Sequence, residues 1–269
     1  MLKWGFVLLT AYTGPIGAFL YVLGCREPLP GLHEQYVAAR WRQVLGSTMH
    51  CVAGDGLGII IGAVIGSELH MSPPAELAME YILGFGIGWT IFQALFMRDM
   101  AGGSYRRALR RTFIAEFLSM NALMAGMVPV MMALMARLPG AESPRQATFW
   151  FTMSMALLTG SLVTYPMNWW LVANHLKHGM MTVRRAAARE PSHPHVEHAM
   201  GQKMEMISDA QVPKPSAGAI TSMAILSVAM FAIGIGISTI VAGHIKDWCQ
   251  VSIIVRRAGT FMPSHGSAI

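Results

Sequence analysis

The residues best suited to chemistry lie in the apolar stretch 44–69. His50, Cys51 and Asp55 are polar members of this stretch. Cys51 and Asp55 are four residues apart and share one face of a helix, whereas His50 lies about 100° around the helix from Cys51. Thiolate, imidazole and carboxylate groups are all ligands of transition metals. The spacing therefore predicts a metal site, and the glycines on either side of Asp55 predict a break in the helix that exposes backbone carbonyls.

A second set of candidate ligands is a series of methionines. The chain has 23 methionines, and four of them recur at spacings that place them on one stripe of a helix. They are Met120, Met124, Met127 and Met131. Thioethers are soft ligands that suit Cu(I), so this stripe, with the cysteine and the histidine, predicts a path for copper. The alternative is that these methionines are flexible apolar filler in a helix bundle.

Further polar residues fall in two later apolar stretches, at the end of the predicted bundle where the Asp55 segment begins. They are Glu116, Ser119, Asn121, Tyr165, Asn168 and His175. Polar groups inside a membrane are costly and by default indicate function, so their convergence with Asp55 predicts a polar site. The alternative is that these groups only hydrogen-bond one another and hold the helices together. Glu80 and Gln93 stand alone in another stretch, and no role is predicted for them.

The composition indicates a membrane protein built of helices. Hydrophobic residues make up 54% of the 269 residues and charged residues only 13%, against about 25% charged in soluble domains. Six stretches approach the roughly 20 residues that a spanning helix needs. We therefore expect an all-α polytopic integral membrane protein with six transmembrane helices. The expected spans are about 4–24, 44–69, 77–97, 113–138, 149–175 and 220–245.

The distribution of Lys and Arg predicts the orientation of these spans. The connections after the first, third and fifth spans carry most of the Lys and Arg residues, so both termini are expected outside. Residues 1–245 then form a single transmembrane domain, with a long cytoplasmic loop at 176–219 and a periplasmic tail at 246–269. The net charge of +6 serves orientation and contact with anionic lipid. Nucleic acid is not an expected partner.

Three glycines predict how the second span packs. Gly58, Gly62 and Gly66 recur at intervals of four residues and form a ridge of small residues along one helix face. Such a ridge lets the backbone of a neighbouring helix approach closely inside a membrane. We therefore assign these glycines to helix packing.

One run of residues resembles a known family. The run Tyr165–Leu171, Tyr-Pro-Met-Asn-Trp-Trp-Leu, is followed by a lysine-bearing turn, and together they resemble the bacterial membrane family called domain of unknown function 4396. Glu116 and Ser119 are similar to an acid and a serine of that family. The family pattern has a second cysteine where this chain has Asp55, so the resemblance implies a divergent member. It also implies a location in the bacterial inner membrane, and copper-oxidase names within the family add to the copper hypothesis.

Three functions are open at this stage, the third being a small-solute or proton pathway through Asp55 and Glu116. The first is non-enzymatic handling or transport of a transition metal, Cu(I), with copper bound by His50, Cys51 and Asp55 and relayed by the methionines. The second is an accessory or structural subunit of a larger membrane complex, with other subunits and the lipid bilayer as its only partners. Metal handling predicts methionines that face the interior, whereas a subunit without a ligand predicts carboxyl groups satisfied by their neighbours. No nucleophile or phosphate motif indicates an enzyme.

Overall fold

The computed structural model describes residues 2–26, 36, 38–98, 102–177 and 215–259, and every regular element in these ranges is helical. The all-α class is therefore confirmed. A π-helical turn, Gly88–Gln93, joins the fourth helix to the fifth. The helices are α1 (Leu2–Thr13), α2 (Pro15–Cys25), α3 (Arg40–Glu68), α4 (Pro73–Ile87), α5 (Ala94–Met97), α6 (Tyr105–Met135), α7 (Ala147–Ala173) and α8 (Ala217–Gly259).

Five segments in the described part of the chain are long and apolar enough to cross a membrane. They are Arg40–Glu68, Pro73–Met97, Tyr105–Met135, Ala147–Ala173 and Ala217–Val241. The first predicted span, 4–24, instead consists of α1 and α2, which meet at Gly14 with φ 63°. Pro15 follows Gly14 and has no N–H to continue the helical hydrogen bonds. The structure therefore supports five spans, and the sixth is not confirmed.

The segments predicted to lie outside the membrane fall mostly on residues that the structure does not describe. These are 178–214 within the predicted loop and 260–269 within the predicted tail. The part of the predicted tail that is described, 246–259, belongs to α8. The predicted periplasmic tail thus begins within a helix.

Helix α3 is the central element of the bundle. It packs against α1, α2, α4 and α7, while α6 packs against α7 and α8. The glycine ridge of α3 faces α4: a Cβ added to Gly62 would lie 2.7 Å from the Cα of Glu80, and one added to Gly66 would lie 2.7 Å from the Cγ of Glu76. The absence of side chains on the ridge thus allows the close approach of the two helices.

The glycines that flank Asp55 do not break α3, which is continuous from Arg40 to Glu68. The predicted break is therefore wrong. A Cβ on Gly54 would lie 2.6 Å from the ring of Phe92, and one on Gly56 would lie 2.9 Å from the hydroxyl oxygen of Tyr12. These glycines make room for neighbouring aromatic side chains, a tertiary requirement that is not visible in the local sequence.

The outer surface of α8 is mostly apolar over residues 217–241, where its side chains are described. Its exposed side chains include Ile225, Leu226, Val228, Ile233, Ile237 and Ile240. Apolar side chains on the outside of a spanning helix are compatible with contact to the lipid bilayer.

Candidate metal site

The centre of the bundle holds a thiol and two carboxyl groups from two helices. Cys51 and Asp55 lie on α3 and Glu116 lies on α6, and all three side chains are at most 1% exposed. The Cys51 thiol lies 3.2 Å from Oδ2 of Asp55 and 3.7 Å from Oε2 of Glu116, and it can donate its proton to either. One ligand atom from each residue lies within 4.8 Å of the other two. These three groups could therefore hold one metal ion.

The other oxygen of each carboxyl group is left without a partner. Oδ1 of Asp55 and Oε1 of Glu116 are buried and have no hydrogen-bond partner among the described residues. Both oxygens lie against Gly88, where an added Cβ would contact Asp55 Oδ1 and come within 2.6 Å of Glu116 Oε1. Two buried carboxyl groups this close need a cation between them, which is either a shared proton or a metal ion.

Gly88 is the first residue of the π-helical turn Gly88–Gln93. A π-helical turn widens the helix locally and recurs at functional sites. Here the turn places a residue without a side chain beside the carboxyl groups of Asp55 and Glu116. The absence of a side chain at Gly88 thus leaves room for these two carboxyl groups beside the π-helical turn.

Lys177 brings a positive charge to the same region. It is 5% exposed, and its ammonium group donates to Oδ1 of Asn168 at 3.0 Å and to Oγ of Ser119 at 3.3 Å. Ser119 Oγ lies 3.4 Å from the sulfur of Cys51, and the Asn168 amide donates to Thr48 Oγ1 at 3.0 Å. A chain of polar contacts therefore leads from Lys177 to the thiol.

The ammonium group of Lys177 stays charged in this setting. Lys177 lies beyond the end of α7. Burial lowers its pKa, but the negative charges of Cys51, Glu116 and Asp55 outweigh burial, and the pKa is raised above its usual value. The cation can therefore balance one of the negative charges that the thiol and the carboxyl groups develop.

A turn at the end of α7 directs Lys177 back into the bundle. The N–H of His175 donates to the carbonyl of Val172 at 3.2 Å, and the N–H of Leu176 donates to the carbonyl of Leu171 at 3.0 Å. This is the Schellman motif, in which the residue after the cap takes a left-handed conformation. His175 is that residue, with φ 55°. The exposed side chain of His175 does not join the polar cluster, and its contribution is the turn.

His50 lies on α3 beside Cys51 but points elsewhere. Its Nε2 donates to the carbonyl of Phe92 at 3.2 Å, and its ring lies 5.5 Å from the ring of Phe92 and 5.2 Å from that of Phe96. Its Nδ1 is buried without a partner in the described part of the chain, on the side of Gly5 in α1. The structure therefore does not bring His50 together with Cys51 and Asp55.

The remaining predicted polar residues are distributed between the site and the helix contacts. Ser119 and Asn168 belong to the Lys177 network. Asn121 instead accepts from the hydroxyl of Tyr81 at 2.8 Å and donates to Ser227 at 3.2 Å, which links α4, α6 and α8. The hydroxyl of Tyr165 donates to a backbone carbonyl of α3 at 3.2 Å. Asn121 and Tyr165 thus connect helices and do not contribute to the metal candidate.

The methionine stripe of α6 faces the interior. Met120, Met124, Met127 and Met131 are each at most 5% exposed. They pack in the main apolar core together with Leu123, Phe149 and Leu157. The methionines therefore face the interior, as copper handling requires. They are also surrounded by packed apolar side chains, as expected for apolar filler.

A comparison with known protein families finds a match that covers the candidate site. The model of a family described as a domain of unknown function (DUF4396) matches residues 40–177, just over half of the chain. The chain belongs to this family. No curated protein and no solved structure matches the chain. The DUF4396 match includes Cys51, Asp55 and Glu116, and it ends at Lys177.

Two residues of the DUF4396 region, Lys177 and Gly88, belong to the site although the sequence pattern does not predict them there. Lys177 lies after the last residue of α7, and a lysine at a helix end ordinarily indicates orientation. Gly88 has no side chain, and only the contact with Asp55 and Glu116 reveals its role. Glu80 lies eight residues before Gly88 and outside this site, and its spacing of four residues from Glu76 places both on one helix face.

Replacing Lys177 with methionine is expected to destabilise the protein by about 2–3 kcal/mol, because buried acceptors on Asn168 and Ser119 lose their charged donor. The measurement is chemical unfolding of the purified protein in detergent. Arg106→Met is the matched control, since Arg106 is an exposed cation at the start of α6, and it should change little. Equal stability of the two variants would contradict a structural role for Lys177.

Proposed function

We propose that this chain binds a transition-metal ion inside the membrane, at Cys51, Asp55 and Glu116, and handles or transports it without catalysing a reaction. The observation that carries the proposal is the close approach of the three ligand atoms, within 4.8 Å of one another, in a fully buried position. Ionisable groups at such a depth are expensive and are ordinarily retained for function.

The charges of the site favour a divalent ion. With a metal bound, the Cys51 thiolate and the carboxylates of Asp55 and Glu116 would carry three negative charges, and Lys177 would supply one positive charge. One divalent cation balances the two negative charges that remain, which removes the cost of an unpaired buried charge. Thiolate and carboxylate are both ligands of Zn²⁺. Zn²⁺ is therefore the first ion to test.

Cu(I) is the second ion to test. The buried methionines of α6 supply soft thioethers near the site, and Met120 follows Ser119 directly in the chain. Thioether and thiolate ligands suit Cu(I), whereas carboxylates suit harder ions. A path for Cu(I) along the methionines would then share Cys51 with the divalent site.

The accessory-subunit alternative makes a different prediction for these carboxyl groups. A protein without a ligand should satisfy Asp55 and Glu116 through their neighbours. Among the described residues, one oxygen of each carboxyl group has no hydrogen-bond partner. A metal ion would satisfy these two oxygens, and so would a proton shared by the two carboxyl groups, so the metal-binding test decides between the two functions.

The proposed setting is the inner membrane of a bacterium. The family resemblance supports the bacterial location, and the Lys and Arg distribution supports both termini outside. In this orientation the end of the bundle where α4 begins faces the periplasm, and Lys177 lies on the cytoplasmic side. An ion that enters near Lys177 and leaves near the start of α4, or moves the opposite way, would then pass between the cytoplasm and the periplasm.

The test is equilibrium metal binding by the full-length protein purified in detergent. Wild-type protein is expected to bind one Zn²⁺ per chain, and Glu116→Gln or Cys51→Ser is expected to weaken binding at least about ten-fold, because each removes a ligand. Binding is measured by titration and metal analysis, with a parallel titration of Cu(I).

Glu68→Gln serves as the matched control for this test. Glu68 lies at the end of α3 and is exposed, with its carboxylate 3.3 Å from Arg145. Its replacement should leave metal binding unchanged. A folded wild-type protein that retains neither Zn²⁺ nor Cu(I) would exclude the metal-binding function and leave a proton shared by Asp55 and Glu116, with the accessory role as the surviving alternative.

A further inference from the structure

A line of residues on α4 leads from one end of the bundle toward the metal candidate. Glu76, Glu80, Gly84 and Gly88 follow one another at intervals of four residues. Residues at this interval lie on the same side of a helix. This side of α4 packs against the glycine ridge of α3. Two acidic residues and two residues without side chains therefore share the face of α4 that ends at Asp55 and Glu116.

Glu80 is the member of this line that most requires an explanation. Its side chain is 0% exposed, and neither carboxyl oxygen has a hydrogen-bond partner among the described residues. An unpartnered carboxyl group inside a membrane protein costs several kcal/mol unless it holds a proton or a metal ion. Packing alone does not require this group, since a leucine or glutamine would fill similar space. The unpartnered oxygens of Glu80 point to a cation as their partner.

Exposure of the acidic residues decreases from Glu142, which precedes α7, to Glu76 and then Glu80 on α4. Glu142 is exposed, and its backbone carbonyl accepts from Ser67 at the end of α3 at 2.8 Å. Glu76 is partly buried in the first turn of α4, against Gly66. Glu80 is fully buried one turn deeper. An acidic entrance followed by a buried carboxyl group attracts and then desolvates a cation stepwise.

The interval between Glu80 and the metal candidate is short. Eight residues separate Glu80 from Gly88, which corresponds to about 12 Å along the helix axis. Gly84 lies midway, and the space beside it is filled: an added Cβ would lie 2.8 Å from the terminal methyl of Met120, 2.8 Å from Cγ1 of Ile59 and 3.2 Å from the backbone oxygen of Asp55. The side chains of Met120 and Ile59 therefore separate the two carboxyl sites and must shift for an ion to pass.

We infer that Glu76 and Glu80 form the route by which divalent metal ions pass between the α4 end of the bundle and the site at Cys51, Asp55 and Glu116. Glu80 is the intermediate binding group on this route. The inference rests on the proposed metal-binding function. It adds the path of the ion, the end of the bundle at which the ion enters or leaves, and the role of Glu80 in the rates of binding and release. A residue on a path, unlike a ligand of the final site, changes how fast the ion arrives and leaves without changing how tightly it is held.

The experiment compares rates with affinity, using Zn²⁺ as the probe and the full chain in detergent. Glu80→Gln keeps the shape of the side chain and removes its charge. Stopped-flow mixing is expected to show association and dissociation of Zn²⁺ slowed together, each at least about ten-fold, with the equilibrium Kd unchanged within about two-fold. Glu76→Gln is expected to slow both rates by a smaller factor. Glu68→Gln, at the same end of the bundle but outside the line, is the control.

The outcomes separate the route from the binding site. Wild-type rates in Glu80→Gln with normal affinity would overturn the route and leave the metal site intact. A raised Kd with an unchanged association rate would make Glu80 a ligand and likewise overturn the route. Wild-type protein without Zn²⁺ binding would overturn both proposals together. If Glu80→Gln does not fold, Glu76→Gln decides the question, because Glu76 is only partly buried.

Discussion

Gly88→Ala is expected to abolish metal binding at Cys51, Asp55 and Glu116 while the helix bundle remains folded. The added Cβ would contact Oδ1 of Asp55 and come within 2.6 Å of Oε1 of Glu116. Both carboxyl groups must then move away from the position that a metal ion would share with the thiol. Since two of three ligands are displaced, the Kd for Zn²⁺ should rise by about 100-fold or more. Titration of the purified variant measures this change.

Gly86→Ala is the matched control for this prediction. Gly86 lies on α4 two residues from Gly88, and no atom lies within 4 Å of the position that its Cβ would take. This variant should bind Zn²⁺ like the wild type and should be more stable by about 0.8–1 kcal/mol, because alanine favours a helix over glycine. Normal metal binding by folded Gly88→Ala would show that the carboxyl groups next to Gly88 do not form the site.

Gly58→Ala is expected to cause the largest loss of stability. Its added Cβ would contact the backbone carbonyl of Leu83 and lie 2.7 Å from the Cα of Gly84. Backbone atoms cannot rotate away as a side chain can, so α3 and α4 must separate along their whole contact. Overpacking of this kind costs about 3 kcal/mol. Unfolding of the purified protein by a denaturing detergent measures the difference.

The control for Gly58→Ala is Gly236→Ala in α8. No atom lies within 4 Å of the Cβ position of Gly236, so this substitution adds the same methyl group without a clash. It is expected to leave stability unchanged or to raise it slightly. A similar stability for both variants would contradict close packing of α3 against α4 through the glycine ridge.

The features that could be predicted from the sequence depend on the period of a single helix. The interval between Cys51 and Asp55 places both on one face of α3, and the two contact each other at 3.2 Å. The same period puts the methionines of α6 on one stripe and the glycines of α3 on one ridge. Apolar length alone predicts six spans, and five of them are long enough to cross a membrane in the structure.

The tertiary structure decides which residues of other helices each helix face contacts. The sequence groups His50 and Asn121 with the site because they are polar and lie at a suitable depth, yet each contacts another helix instead. The angle between residues on one helix follows from the sequence, whereas the rotation of that helix against its neighbours depends on all the packed side chains together. Polar residues at equal depth therefore need not meet.

Lys177 and Gly88 likewise could not be assigned to the site from the sequence alone. Lys177 reaches the site because a turn at the end of α7 reverses the chain, and Gly88 matters only because two carboxyl groups from other helices lie against it. By itself the sequence determined the helices, the Cys51 and Asp55 pair and the glycine ridge, because these follow from local periodicity and hydrophobicity. Only the tertiary structure decided that Glu116, Gly88 and Lys177 surround that pair, because contacts between distant segments depend on how whole helices pack.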